Sequence, residues 1–138
     1  VGKVSYIRPV ARKDDVVWYL SVEQTEADGV TTIAAEGRIS ERTSRDLQRI
    51  LDAATESLRQ DVVLDLTGVD YISSAGLRTL ERTADRLGAT GRALVVCSLQ
   101  DPVKAALTLA GPIPHLAVEP ARDSAIERVR DARRRRDA

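Results

Sequence analysis

Two adjacent hydroxyls, Ser73 and Ser74, stand where an apolar run gives way to an amphipathic pattern in VVLDLTGVDYISSAGLRTLERTADRL, Val62 to Leu87. Hydroxyls delivered by a strand to the start of a helix meet unpaired backbone N–H groups and the positive end of the helix dipole, both of which favour anions. Two chemistries fit this placement. In one, a serine caps the helix and the other closes a turn. In the other, a serine accepts a phosphoryl group, gaining about −1.5 to −2 charges at neutral pH, and the added charge repels a partner that docks on the same surface. Other reactive residue types are sparse. One cysteine, Cys97, and one histidine, His115, build neither a disulfide framework nor a Cys/His zinc site. Cys97 lies in an apolar run and reads as a buried small hydrophobe, and His115, between Pro114 and Leu116, reads as a loop residue. No metal or cofactor is expected.

The elements that position the serines follow from hydrophobic periodicity. Val16 to Glu23 alternates as a strand, Asp28-Gly29 is a turn dipeptide, and Val30 to Ala35 returns as the second arm of a hairpin. Gly37 to Ser40 ends the hairpin, with Ser40 as N-cap of a helix whose apolar positions are Leu47, Ile50, Leu51, Ala54 and Leu58. Val62 to Leu66, interrupted by Asp65, reads as a strand covered on both faces and broken at Thr67-Gly68. After the serines, Leu77, Leu80, Ala84 and Leu87 form one helical stripe with Arg78, Glu81, Arg82, Asp85 and Arg86 facing outward, and Gly88 is the expected C-terminal cap. Ala93 to Cys97 is a short strand. Asp101 caps a helix with Pro102 at its first position, closed by Gly111-Pro112. Leu116 to Val118 is a last strand, and Pro120 opens a helix carrying Ile126 and Val129 inward. This order, β-β-α-β-α-β-α-β-α, predicts a mostly parallel sheet preceded by an antiparallel hairpin, with sites outside the carboxyl ends of the strands. Three loops are expected to meet there: Gly37 to Ser40, Thr67 to Ser74, and Ser98 to Asp101.

The 138 residues suit one domain with a real core, and a composition 43% hydrophobic and 30% charged is that of an ordinary globular protein. Twenty-one basic and twenty-one acidic side chains balance, so no net field recruits nucleic acid. Neither a membrane segment nor an export signal is evident, and a cytoplasmic location is expected. The chain starts Val1-Gly2 and has no methionine, as a piece of a longer chain would. Residues 1–15 read as an N-terminal extension with weak Val4-Tyr6 alternation, 16–132 as the domain, and 133–138 as a basic tail whose Arg133 to Arg136 are solvated and frayed.

DVVLDLTGVDYISSAGLRTLERTADRLGATGRALVVCSL resembles the core of the STAS domain of bacterial anti-sigma factor antagonists: an apolar strand, an aspartate, a variable turn, a serine knot ending in Gly-Leu, an amphipathic helix and a Gly-rich turn. EGRIS, Glu36 to Ser40, resembles the family's Glu-Gly turn, and the likeness runs from about Val16 to Arg130. It implies an α/β fold with a mixed, mostly parallel sheet of about five strands, an N-terminal antiparallel hairpin and four helices. It also implies a non-enzymatic module that binds an anti-sigma factor with serine kinase activity and so frees a sigma factor. Phosphorylation of a knot serine ends the binding, and a serine phosphatase restores it. By position the family's Asp-Ser-Ser-Gly becomes Ser73-Ser74-Ala75-Gly76, so Ala75 stands at the usual acceptor, Ser73 replaces an aspartate, and Ser40 replaces the aspartate of the Glu-Gly turn. Ser74, or alternatively Ser73, is then the expected phosphoacceptor. The implied partner surface comprises Gly37, Arg38, Ser40, Thr67, Tyr71, Ser73, Ser74, Ala75 and Gly76, less acidic than the family norm.

Other classes fit less well. Ser74-Ala75-Gly76 is half of a hydrolase nucleophile elbow, but Ile72 occupies the place of the first glycine and His115 alone could serve as base. A phosphoaspartate receiver needs an acidic pair after its first strand, which is missing at Gly37; Asp65 lies within its strand and Asp70 reads as a turn former. Within the fold, the alternative is an unphosphorylated STAS scaffold subunit of a signalling or lipid-transport assembly.

Overall fold

In the computed structural model, which describes residues 3–13, 16–57 and 61–137, Asp28 and Gly29 both take positive φ (54° and 80°). These are the two left-handed residues that a two-residue hairpin of matching twist requires. They join strand β2 (Val16–Ala27) to strand β3 (Val30–Ile39), antiparallel with Ala27 opposite Val30. The chain continues through α1 (Thr43–Ser57), β4 (Asp61–Ile72), α2 (Ser74–Gly88), β5 (Leu94–Cys97), α3 (Asp101–Ala110), β6 (Leu116–Glu119) and α4 (Arg122–Asp137). Before the hairpin runs β1 (Lys3–Lys13), antiparallel to β2, so the sheet has six strands in the order β1-β2-β3-β4-β5-β6, the last four parallel. The mixed, mostly parallel sheet with its hairpin and four helices is thus present, with one more strand drawn from the stretch read as an extension.

Two unequal cores flank the sheet. The larger is built from Leu20 and Val22 of β2, Ile33, Ala35 and Ile39 of β3, and Val62, Leu64, Leu66, Val69 and Ile72 of β4, packed by α1, α2 and α3 through Leu47, Leu51, Leu80, Leu87, Val103 and Leu107. The smaller collects Val30, Val63, Val95 and Cys97 beneath Ala125 and Val129 of α4. Ile126 packs against its edge, as its helical spacing predicts. Leu58 lies outside the described residues.

β4 departs most from the sequence reading, because it does not break at Thr67-Gly68 but runs on to Ile72. Its pairing with β3 shifts register between Ala34 and Glu36 and again between Gly37 and Arg38, with β4 supplying an extra residue each time. Leu64 and Leu66 face the larger core two residues apart, and Leu66, Val69 and Ile72 follow at intervals of three. Each longer step spans one irregularity, and the bulge returns the next apolar residue to the same face. Gly68 serves one of these bulges, since a Cβ there would lie 2.8 Å from Glu36 Cγ and 3.0 Å from its Cα.

Several predicted ends move. The third helix is capped by Gln100, with Asp101 already inside it and no side-chain cap bond. Gly88 belongs to α2, whose C-cap is Ala89, and the left-handed residue after it is Gly91 at φ 75°. The glycine at 88 instead admits the His115 ring, whose Cδ2 would lie 2.4 Å from a Cβ at that position. The arginines at 133–136 are helical, not frayed. Arg136 donates from one nitrogen to both oxygens of buried Asp61 at 2.9 Å, Arg130 pairs with Asp28 at 3.1 Å, and Arg133 lies over Gly29.

Candidate functional site

β3 and β4 end side by side, Ile39 opposite Ile72, and this parallel pair delivers the serines. Ser73 has an extended backbone (φ −84°, ψ 171°), its N–H donates to Ile39 O at 2.8 Å, and its Oγ accepts from Gly76 N at 3.1 Å. Its hydroxyl is therefore engaged in capping α2. Ser74 is the first residue of the helix, exposed, and has no side-chain hydrogen bond to another described residue. Gly76 is buried because α2 descends onto the ends of both strands, where a Cβ would come 2.6 Å from Ile39 Cγ2 and 2.7 Å from Ile72 Cγ1.

The neighbouring helix starts by the same device. Ser40 Oγ accepts from Thr43 N at 3.2 Å while Thr43 Oγ1 accepts from Ser40 N at 2.7 Å and donates to Arg38 O at 2.6 Å. This reciprocal cap realises the N-cap expected of Ser40 and fixes the turn leaving β3. Gly37, at φ 118°, lies opposite Val69. Arg38 stands opposite Tyr71, its guanidinium 4.7 Å from the ring centroid and its Nε 3.9 Å from Asp70 Oδ1. Tyr71 is among the few large apolar side chains left exposed.

Of the sequence-predicted residues, Arg38, Ser40, Tyr71, Ser73, Ser74, Ala75 and Gly76 gather where β3 and β4 meet the starts of α1 and α2. Two of the three expected loops are thus paired strand ends, and the third, Ser98 to Gln100, reaches them through Gln100 Nε2 donating to Thr67 O at 2.7 Å. Thr67 is turned to the other face. Its N–H and Oγ1 both donate to Asp65 Oδ1 (3.0 and 2.6 Å), and Arg122 Nε donates to Asp65 Oδ2 at 2.8 Å. Burial raises the Asp65 pKa, but the Thr67 donors and the Arg122 charge outweigh it and hold the carboxyl below its ordinary value. Beside it, burial and then the Asp65 charge push the Cys97 thiol up, which keeps it an inert thiol. His115 lies against Gly88, at the opposite end of α2 from Ser74 and roughly 20 Å away by the helical rise.

Between α1 and α2 opens a cleft of about 400 Å³ with Ala75 at one end, lined by Arg45, Arg49, Arg78 and Arg82. Periodicity placed Arg78 and Arg82 on the outer face of their helix. It did not show that α1 presents a matching pair, although both pairs are written at i, i+4 spacing.

The family model for the STAS domain matches residues 21–125, and the chain belongs to that family. It is 29% identical over 106 residues to the Bordetella bronchiseptica protein BtrV, named as an anti-sigma factor antagonist, an alignment covering 77% of this chain and 91% of that one. Among solved structures, the fold matches an anti-sigma factor antagonist from Mycobacterium paratuberculosis (TM-score 0.72, 24% identity, 88% of this chain and 100% of that one). It also matches SpoIIAA in its unphosphorylated form (TM-score 0.67, 14% identity, 80% and 96%). Among the described residues, no helix is long and apolar enough to cross a membrane.

Proposed function

We propose that this chain is an anti-sigma factor antagonist: a cytoplasmic, non-enzymatic binding module that sequesters an anti-sigma factor with serine kinase activity and thereby frees a sigma factor. The observation that carries the reading is the likeness, over 77% of this chain and 91% of the other, to a relative named for that role, in a chain that belongs to the STAS family. The docking surface in this reading is the junction of Arg38, Ser40, Tyr71, Ser74 and Ala75, with Gly37, Ser73 and Gly76 shaping it from behind. The distance between Ser74 and His115 speaks against a serine hydrolase.

Ser74 is the phosphoacceptor in this proposal. Ser73 already spends its hydroxyl on Gly76 N, whereas Ser74 is exposed on the first turn of α2, where a doubly charged phosphate meets the helix dipole favourably. The related fold of SpoIIAA has been solved in both unphosphorylated and phosphorylated forms. A serine phosphatase then resets the module. Ala75, at the family's usual acceptor position, favours a second reading, an unphosphorylated scaffold subunit of a signalling assembly; a stressosome component is among the fold neighbours, with TM-score 0.62.

The test is incubation with anti-sigma kinases and ATP, mass spectrometry of the Val69 to Arg78 segment, and binding of the same kinases to Ser74→Ala and Ser74→Glu. The expected outcome is phosphate on Ser74, wild-type binding by the alanine variant, and at least tenfold weaker binding by the glutamate variant. A kinase that binds both variants alike and leaves Ser74 unmodified points to the scaffold reading.

A further inference from the structure

The chain carries equal numbers of acidic and basic side chains, and most arginines near a carboxylate are paired with one. Arg86 pairs with Asp52 and Glu56, Arg122 with Asp65, Arg128 with Glu119, and Arg136 with Asp61. The arginines of the α1–α2 cleft are different. Among the described residues, no carboxylate oxygen lies within 4.0 Å of Arg45, Arg49, Arg78 or Arg82, although Glu41 shares the cleft. Each pair is four residues apart on its helix, so each helix presents two cations about one turn, roughly 5–6 Å, apart. Facing each other across one groove, the four repel, and the single carboxylate lining it, Glu41, forms no ion pair with any of them.

We propose that this cleft docks an acidic segment of a protein partner, a helix whose glutamates or aspartates recur at i, i+4. That spacing matches the rise between the arginines on each wall, so one acidic face places carboxylates against both rows. Guanidinium groups favour such bidentate carboxylate pairing. Nucleic acid fits less well. The basic strip is short and ends in acidic ground, with Asp52 and Glu56 on α1 and Glu81 and Asp85 on α2, whereas a phosphate backbone demands a continued positive track. The cleft also adjoins the serine site, since Ala75 lines it. A partner gripping the groove is thereby held beside Ser74. The inference deepens the reading of a partner-binding module and rests on it.

The probe is a synthetic helical peptide with glutamates at i, i+4 and i+8, titrated into the isotopically labelled chain while amide shifts are followed. Its lysine counterpart, inorganic phosphate and a single-stranded oligonucleotide of equal charge are run alongside. Expected are saturable shifts confined to α1 and α2, weakening as salt rises, and at least tenfold loss of affinity in the Arg45→Glu/Arg82→Glu double variant. Arg135→Glu, an exposed arginine on α4, should bind as wild type. Absence of saturable shifts, shifts outside the cleft, indifference to the double variant, or equal binding of phosphate or the oligonucleotide overturns the proposal. The same double variant is tested against the kinase that binds the wild-type chain. Retained kinase binding refutes the cleft and spares the antagonist reading, while a wild-type chain that binds no anti-sigma kinase refutes that reading.

Discussion

A methyl group on Gly76 would press against Ile39 and Ile72, both buried, so the residue is chosen for closeness of approach, its φ lying outside the positive region. Gly76→Ala should destabilise the fold by about 1–3 kcal/mol, the usual cost of overfilling a packed site, against a small gain in helix propensity. Urea denaturation checks it. The effect on partner binding should be larger than that on stability alone, because the strand ends and the start of α2 must separate to admit the methyl group. Ser73 illustrates a complementary point. Residue type alone allowed either serine to be the cap, and only the extended backbone at Ser73 and its bond to Gly76 N assign the roles.

At the scale of elements, β4 joins the two faces of the molecule. Its apolar residues build the larger core, while Asp65 is held by Thr67 and Arg122 on the α4 side. The folded pKa of Asp65 is depressed, so its contribution to stability is fully present above the ordinary value of 3.8 and is lost as pH falls through the lower folded value. Asp65→Asn should therefore cost about 1–3 kcal/mol at pH 7, and the gap to wild type should close in denaturation series taken below pH 3.8. A constant gap across that range would mean that the charge contributes nothing. The hairpin, the Ser40 cap and the helical stripes were legible in the sequence because each rests on local chemistry. β1 was not, because Pro9 and a register shift between Pro9 and Ala11 interrupt its alternation, a defect that an edge strand tolerates. The continuation of β4 was hidden by a bulge glycine that resembles a turn glycine. The basic cleft was hidden because it is a relation between two helices, and no window on one of them contains it.

For the whole molecule, α4 is the only helix among the described residues that packs over the smaller core, and charge fastens it at both ends to one strand. Arg122 reaches Asp65 and Arg136 reaches Asp61, whose side chain is only 4% exposed. Read locally, Arg133 to Arg136 looked like a solvated run because the carboxylate that engages Arg136 is 75 residues away. Arg136→Ala leaves a buried carboxylate without its counter-charge, and should cost about 2–4 kcal/mol. A fall in thermal midpoint checks it, and replacing Asp61 by asparagine in the same chain should recover part of the loss.

These two clamps also bear on when the protein can fold. During synthesis the central strand emerges carrying two aspartates that the finished sheet encloses, and their cations follow 57 and 75 residues later. Until α4 docks, that face of β4 stays open to water and the two negative charges remain hydrated. Docking of α4 is thus the step that closes the smaller core and brings both carboxylates to their cations together.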